Sequence, residues 1–236
     1  LAASDDYATL SRNGRLACVL SLTRTPQEWR PYWRTIPMTK SALSWSVWFW
    51  PRDEVDLVRD YDVCTDPTHG YGAYHAILHE DWVRFGRVYD AYVAHFQDAP
   101  VYRPSRKRFQ EKCMLRRIVV TSRGFGFGDG EIAVVPLLDL MNHGSRAAFN
   151  VSWSYVPGET PHFKAVATKS IRPGAELLDS YGHGKDPKQF AFYYGFLPSR
   201  RTRRATFVPP QVRSLKTPLL KELVLRDRRL VKKTHP

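Results

Sequence analysis

A few residues of this sequence have side chains suited to ligand binding or catalysis, and they fall in its second half. Asn142-His143 places an amide beside an imidazole, and Tyr181 stands about 40 residues later, between Ser180 and Gly182. A tyrosine hydroxyl in a desolvated channel can orient reacting groups and respond to a shift of charge. Taken alone, an Asn-His pair is most typical of a turn, and a tyrosine of a core position with a satisfied hydroxyl. His143 is a poor metal ligand, because no cysteine or histidine stands at ligand spacing.

Three segments, taken together, carry a stronger signal. The first is Ser122-Arg123-Gly124-Phe125, the second is residues 135–143 (VPLLDLMNH), and the third is residues 173–182 (PGAELLDSYG), followed by Tyr194-Gly195-Phe196. In order and spacing they resemble the SET-domain branch of Rubisco large-subunit lysine methyltransferase and its relatives. The resemblance is strong from about residue 116 to residue 198, and weaker over residues 16–37. It implies an α+β fold in which small β-sheets form a pseudoknot, a known exception to unknotted topology, with a helical insertion.

This resemblance implies a methyltransferase that uses S-adenosylmethionine and a protein substrate with an acceptor lysine. Tyr181 would be the catalytic tyrosine, since an in-line methyl transfer depends on aligning the acceptor nitrogen with the methyl group. Asn142, the backbone of His143, Tyr181 and Arg123 would contact the cofactor, and no metal is implied. The residues that would line the acceptor side are Tyr194, Asp139 and Phe196. For Arg123 and Asp139 a structural salt bridge is an equal alternative, and Tyr194 has simple packing as its alternative.

Hydrophobic periodicity predicts the elements that must position these residues. The predicted helices cover residues 10–22, 81–96 and 105–120, with a compact helix from Asp186-Pro187 to Gly195. The predicted strands are a buried one at 132–136, a hairpin at 149–156 and 163–168, and a short one at 176–180. Residues 45–74 are predicted to be irregular. The glycine-rich residues 124–130 lack the spacing of a nucleotide-binding loop, and Asp129-Gly130 predicts a hairpin turn.

Composition restricts the class of protein. With 43% hydrophobic and 13% aromatic residues the chain has ample material for a core, so disorder is not expected. No apolar run approaches the ~18 residues of a membrane span, so no membrane partner is predicted. The three cysteines, Cys18, Cys64 and Cys113, are too far apart for a disulfide framework or a zinc site. They are interpreted as reduced thiols of an intracellular protein.

The net charge of +13 is the unusual bulk property. A basic surface attracts polyanions, which makes RNA a candidate neighbour, although an acidic protein partner or an arginine-rich genome explains it as well. One basic group should coat the exposed side of the helix at 105–120. Its members are Arg106, Lys107, Arg108, Lys112, Arg116 and Arg117. A second group follows at Arg200, Arg201, Arg203 and Arg204, and Thr217-Pro218 is predicted to begin a basic amphipathic helix.

The predicted organisation has four parts. Residues 1–37 are the N-terminal part of the SET region, 38–121 the helical insertion, 122–198 the C-terminal SET core, and 199–236 a basic helical tail. The family's Gly-x-Gly cofactor loop is not found; the nearest match, Ser11-Arg12-Asn13-Gly14, has a single glycine. That observation, and a start at Leu1 rather than Met, leads us to expect sequence upstream.

Two functions from different classes follow. The first is an active protein-lysine methyltransferase that uses S-adenosylmethionine, in the cytoplasm, nucleus or plastid. The second is a degenerate, inactive SET domain that serves as a structural or assembly factor of a ribonucleoprotein, such as a mitochondrial ribosome, and contacts its RNA. The chemistry-bearing residues favour the first, whereas the net charge and the missing glycine loop favour the second.

Overall fold

The computed structural model describes residues 5–23, 25–97, 103–182, 184–198 and 210–226. The α-helices, in chain order, are α1 (Asp5–Ala8), α2 (Arg12–Leu22), α3 (Arg30–Thr35), α4 (Arg52–Leu57), α5 (Asp62–Thr65), α6 (Tyr71–His95), α7 (Arg106–Arg123), α8 (Pro187–Tyr194), α9 (Pro210–Arg213) and α10 (Pro218–Leu225). The strands are β1 (Gly124–Phe127), β2 (Glu131–Val134), β3 (Asn142–His143), β4 (Val151–Val156), β5 (His162–Ala167) and β6 (Leu178–Asp179). Short 3-10 helices lie at Gln27–Trp29, Val47–Phe49 and Leu138–Leu140.

Helix α7 lies at the centre of the helical part, between α2 and α6. Its apolar residues Phe109, Cys113 and Ile118 are all almost completely buried, as their spacing predicts. Ser105 caps the helix by accepting a hydrogen bond from the backbone N–H of Arg108, at 3.3 Å. The helix ends at Arg123, three residues later than predicted, so Arg123 is carried by a packed helix rather than by a loop.

The prediction for residues 45–74 and for the start of the next helix was wrong. The helix begins at Tyr71, ten residues before the expected start, and α4 and α5 lie within the segment expected to be irregular. Gly70 has the extended backbone of an N-cap residue, and Tyr71, Tyr74 and Leu78 continue the buried face at three- and four-residue steps. Glycine and proline in this segment mark boundaries between short helices, and helices of six and four residues are too short for their periodicity to be detected.

Half of the exposed basic coat predicted for α7 is present: Arg106, Lys107 and Arg108 are exposed, whereas the other three basic residues are not. Arg117 is buried against Asp81 of α6, with 2.7 Å between Nε and Oδ2. Lys112 and Arg116 donate hydrogen bonds to the carbonyls of Ser21 and Leu20 at the C-terminal end of α2. Those carbonyls have no partner within their own helix, and cations are favourable at that end of the helix dipole. Arg106 binds the Asp90 carboxylate but stays exposed, as Lys107 and Arg108 do.

The strands form three small two-stranded sheets. β1 pairs with β2 and β4 with β5, both antiparallel, and the predicted hairpin turn is present with positive φ at Gly128 and Gly130. The strand expected to be buried at 132–136 is instead half exposed, because β2 pairs with β1 alone among the described strands. β3 pairs with β6 in parallel, with Asn142 opposite Leu178 and His143 opposite Asp179. This pairing brings the C-terminal segment alongside Asn142-His143, as the pseudoknot requires.

The described part of the C-terminal tail docks on the helical part of the chain. Leu220, Leu223 and Val224 of α10 are buried, and the backbone N–H of Thr217 donates to the carboxylate of Glu54, at 2.9 Å. The Arg200, Arg201, Arg203 and Arg204 group lies outside the described residues, as does the end of the tail. In the portion of the chain that the structure covers, no helix is both long and apolar enough to span a bilayer.

Candidate active site

Tyr181 is fixed by hydrogen bonds at both its backbone and its side chain. It follows β6, and its backbone N–H donates to Nδ1 of His143, at 3.2 Å. Its hydroxyl donates to the backbone carbonyl of Met141, at 2.7 Å. Burial raises the pKa of Tyr181 above its ordinary value, so the hydroxyl stays protonated at neutral pH. The side chain is therefore a neutral, oriented hydroxyl, and none of the described residues donates a hydrogen bond to it.

The Asn-His pair forms β3, which pairs in parallel with β6. The Asn142 amide donates to Oε1 of Glu176, at 2.6 Å, and the side chain is exposed. His143 packs among aromatic rings, with centroid distances of 4.9 Å to Phe190 and 5.4 Å to Tyr181. Neither residue sits in an isolated turn, so the tertiary structure removes the alternative that the pair is a simple turn.

A cluster joins the buried carboxylate of Asp139 to the partly buried Arg123 and Tyr32. Oδ2 of Asp139 accepts a hydrogen bond from the Tyr32 hydroxyl, at 2.9 Å, and lies 3.3 Å from Nη1 of Arg123. Arg123 also donates to the backbone carbonyl of Asp139, at 2.9 Å. The salt bridge that was the alternative interpretation of these two residues is therefore present. Oδ1 of Asp139 is buried as well, and it has no hydrogen-bond partner among the described residues.

Helix α8 presents Tyr194 and Phe196 to the site. Asp186 caps its start with Pro187 in the first turn, as predicted, and Gln189 completes a capping box. Gly195 ends it in the left-handed conformation, with φ at 78°. The Tyr194 ring lies 4.6 Å from the Tyr181 ring between centroids, and burial raises the pKa of Tyr194 above its ordinary value. Gly195 thus sets the direction in which the chain leaves the helix to place Phe196.

Replacing Gly195 with alanine is expected to lower the free energy of unfolding by about 2–4 kcal/mol. Alanine is strained at this φ, and its Cβ would lie 2.4 Å from a ring carbon of Trp45. Gly130→Ala is the matched control, because Gly130 also has a positive φ, at 91°, but no atom lies within 4 Å of its Cβ position. Chemical denaturation measures both. Equal losses in the two variants would show that the Trp45 contact contributes nothing.

Two cavities meet at the side chains of Tyr181 and Asp139. The smaller one, of about 420 Å³, is lined by every residue that the sequence assigned to the site. These are Arg123, Asp139, Asn142, His143, Tyr181, Tyr194 and Phe196. The larger one, of about 500 Å³, extends to Ser11, Arg12 and Asn13 at the start of α2. The walls share Ser122, Arg123, Asp139, Tyr181 and Tyr194.

The sequence missed several residues that line these walls or hold a wall residue in place. Tyr32 holds Asp139, Trp45 contributes a ring to the smaller cavity, and Lys185 lines the larger one. Tyr32 belongs to residues 16–37, which resemble the family more weakly, but nothing in the sequence ties it to a residue 107 positions later. The Ser11-Arg12-Asn13 segment lines the larger cavity alone. The described residues contain no group of three or more histidine, cysteine, aspartate or glutamate side chains able to hold a metal ion.

Comparison with known proteins identifies the fold. No family model matches the sequence, and no curated protein matches it. Among solved structures, the SET domain of LSMT bound to lysine and AdoHcy is similar, with a TM-score of 0.61 at 17% sequence identity. The match covers 86% of this chain and 45% of that chain, so the present sequence spans less than half of the length of its structural neighbour. The similarity confirms the predicted architecture: this chain has the fold of a SET domain.

Proposed function

We propose that this protein is an S-adenosylmethionine-dependent methyltransferase that acts on a lysine side chain of another protein. The observation that carries the proposal is the pair of cavities that meet at Tyr181. Methyl transfer from a cofactor to a protein needs two binding spaces that join at the reacting atoms, since the acceptor and the leaving group lie in line. The shared wall, with Tyr181, Tyr194 and Asp139, supplies that junction.

The smaller cavity suits the cofactor. Its volume falls within the range of small-molecule sites, and its wall combines aromatic rings with a few polar groups. S-adenosylmethionine supplies a methyl group activated by a positively charged sulfonium. The rings of Tyr181, Phe196 and Trp45 favour a cation through their electron-rich faces, and the Asn142 amide offers donors and an acceptor to a polar ligand group.

The residues of the shared wall would orient the acceptor. Because its proton is donated to the Met141 carbonyl, the Tyr181 hydroxyl can accept a hydrogen bond from a neutral amine in the larger cavity. Tyr194 packs against Tyr181, and its hydroxyl reaches the Tyr181 carbonyl at 3.4 Å, which stiffens the wall. Such preorganised dipoles cost no rearrangement when charge shifts from the sulfonium to the acceptor nitrogen. The LSMT structure, which binds lysine and AdoHcy, supports this assignment by analogy of fold.

Calorimetric titration with S-adenosylmethionine tests the proposal. We expect one-to-one binding that weakens by at least about tenfold in Asn142→Ala, since a buried ligand group would lose its hydrogen-bond partner. Asn13→Ala is the matched control, because Asn13 lines the larger cavity alone. Its cofactor affinity should equal that of the wild type. Absence of binding by the folded wild type, or equal losses in the two variants, would contradict the assignment of the smaller cavity.

The net charge of +13 supports a second candidate, the inactive structural component of a ribonucleoprotein such as an organellar ribosome. Its support is narrower than the sequence suggests, because Arg106, Lys112, Arg116 and Arg117 of α7 have partners within the chain. Salt-sensitive retention on RNA, measured together with no heat in the cofactor titration, would favour this candidate over the methyltransferase.

A further inference from the structure

The larger cavity carries positive charge that the protein does not neutralise. Among its described lining residues, the cations are Arg12, Arg117, Arg123 and Lys185, and the carboxylates are Asp139 and Asp179. Arg117 pairs with Asp81 and Arg123 with Asp139. Neither Arg12 nor Lys185 has a carboxylate within 4.0 Å in the part of the chain that the structure describes. These two side chains come from opposite ends of the chain and meet at one cavity.

Arg12 is held where it can meet a ligand. Its guanidinium lies over β1, with Nη1 3.6 Å and Nη2 3.9 Å from the position that a Cβ would take on Gly126, another lining residue. The base of the side chain is fixed, because Ser11 caps α2 and donates to the buried carboxylate of Asp81, at 2.9 Å. The side chain is exposed to solvent. A planar guanidinium on a fixed backbone is suited to bidentate binding of a carboxylate.

Lys185 adds to the positive field without matching that geometry. Its ammonium donates to the carbonyl of Tyr181 and lies 5.9 Å from the centre of the Tyr194 ring. Burial lowers the pKa of Lys185, and no neighbouring acid offsets this. An anion in the cavity would interact favourably with both cations. The Arg12 guanidinium donates to no acceptor among the described residues, whereas the Lys185 ammonium already donates to the Tyr181 carbonyl of the shared wall.

We propose that the larger cavity takes an acidic acceptor segment, in which an aspartate or glutamate stands near the methylated lysine and is recognised by Arg12. This inference rests on the proposed function, which places the acceptor in this cavity. A peptide fits better than RNA: a nucleic-acid backbone is bound by a row of cations, whereas only two cations among the described lining residues lie outside ion pairs, and one of them, Lys185, lies beside the Tyr194 ring. Charge complementarity of this type selects between partners more than it raises total affinity.

Fluorescence anisotropy with labelled peptides tests the inference without relying on turnover. The probes are a peptide with a central lysine between glutamates and the same peptide with glutamines. The glutamate peptide should bind about fivefold more tightly at low salt, and its advantage should shrink as salt is added. Arg12→Glu should remove or reverse the preference, and Arg12→Gln should reduce it. Arg59→Glu makes the same change of net charge at an exposed arginine outside both cavities, and it should keep the preference.

Each of the other outcomes contradicts one part of the inference or of the proposed function. Equal binding of the two peptides by the wild type, or a preference that survives in both Arg12 variants, contradicts the recognition of an acid by Arg12. Binding of neither peptide at millimolar concentration contradicts it as well. Tighter binding of a labelled oligouridylate that is lost in Arg12→Glu would assign the cavity to phosphate instead. Equal binding of a third peptide, with norleucine for lysine between the glutamates, would contradict the proposed lysine acceptor but leave the acid preference standing.

Discussion

Replacing Tyr181 with phenylalanine is expected to lower the rate of methyl transfer by at least about 10²-fold, with cofactor affinity nearly unchanged. The variant keeps the aromatic ring that contacts His143 and Tyr194, and it loses the hydroxyl that the Met141 carbonyl holds in place. Without that hydroxyl the acceptor nitrogen loses a fixed hydrogen-bond partner at the junction of the cavities. The effect should appear in kcat, because the interaction is used most when charge moves onto the acceptor.

The measurement combines single-turnover methyl transfer with calorimetric titration of S-adenosylmethionine. Tyr89→Phe is the matched control: Tyr89 also donates its hydroxyl to a backbone carbonyl, that of Pro104, but lines neither cavity. Each variant should lose about 1 kcal/mol of stability from its missing hydrogen bond. A Tyr181→Phe enzyme that turns over within twofold of the wild type would remove Tyr181 from the mechanism.

Replacing Asp81 with alanine is expected to destabilise the protein by about 3–5 kcal/mol, a large part of the stability of a typical domain. Arg117 and Asp81 are both nearly inaccessible, and the Asp81 carboxylate also accepts a hydrogen bond from Ser11. The variant would leave the guanidinium buried without its counter-charge and remove a support from the start of α2. Because Ser11 and Arg117 line the larger cavity, the loss should also loosen the proposed acceptor site.

Chemical denaturation of three variants measures their free energies of unfolding. The comparison separates the cost of a buried, unpaired charge from the cost of losing an ion pair. Asp90→Ala removes the partner of Arg106 from the same helix α6, but that pair is exposed, and the expected cost is at most about 1 kcal/mol. A double variant, Asp81→Ala with Arg117→Met, should regain part of the loss, because no uncompensated charge stays buried. If Asp81→Ala and Asp90→Ala cost the same, the buried pair is not a principal support of the fold.

The regular elements near the site were predictable because their signals are local. The start and end of α8 follow from Asp186-Pro187 and Gly195, and the β1–β2 turn follows from Asp129-Gly130. The same holds for α2 and α7, where apolar residues recur at helical spacing. The prediction for residues 45–74 failed because α4 and α5 are too short to show a period. It also failed because α6 begins directly after Gly70, and a glycine in a sequence pattern suggests a break.

The outward or inward direction of charged residues was not predictable. Lys112 and Arg116 of α7 face the end of α2, and Arg117 faces Asp81, because the partners of these residues lie 36 to 96 positions away. A helical period places a residue on a face, but whether that face meets solvent or a second helix depends on how the helices pack. The interpretation of α7 as a solvated basic face failed for its last three basic residues for this reason.

For the candidate site, the sequence by itself determined which residue types were present and the order in which they occur. Asn142-His143, Tyr181 and Tyr194-Gly195-Phe196 could be selected from it, and all of them except Gly195 line one cavity. Only the tertiary structure decided that Tyr32 holds Asp139, that two cavities share a wall, and that Arg12 lies against Gly126 in the wall of the larger one. Hydrogen bonds and fields act through space at a few ångströms, so contacts between distant parts of the chain are fixed by packing and leave no local pattern in the sequence.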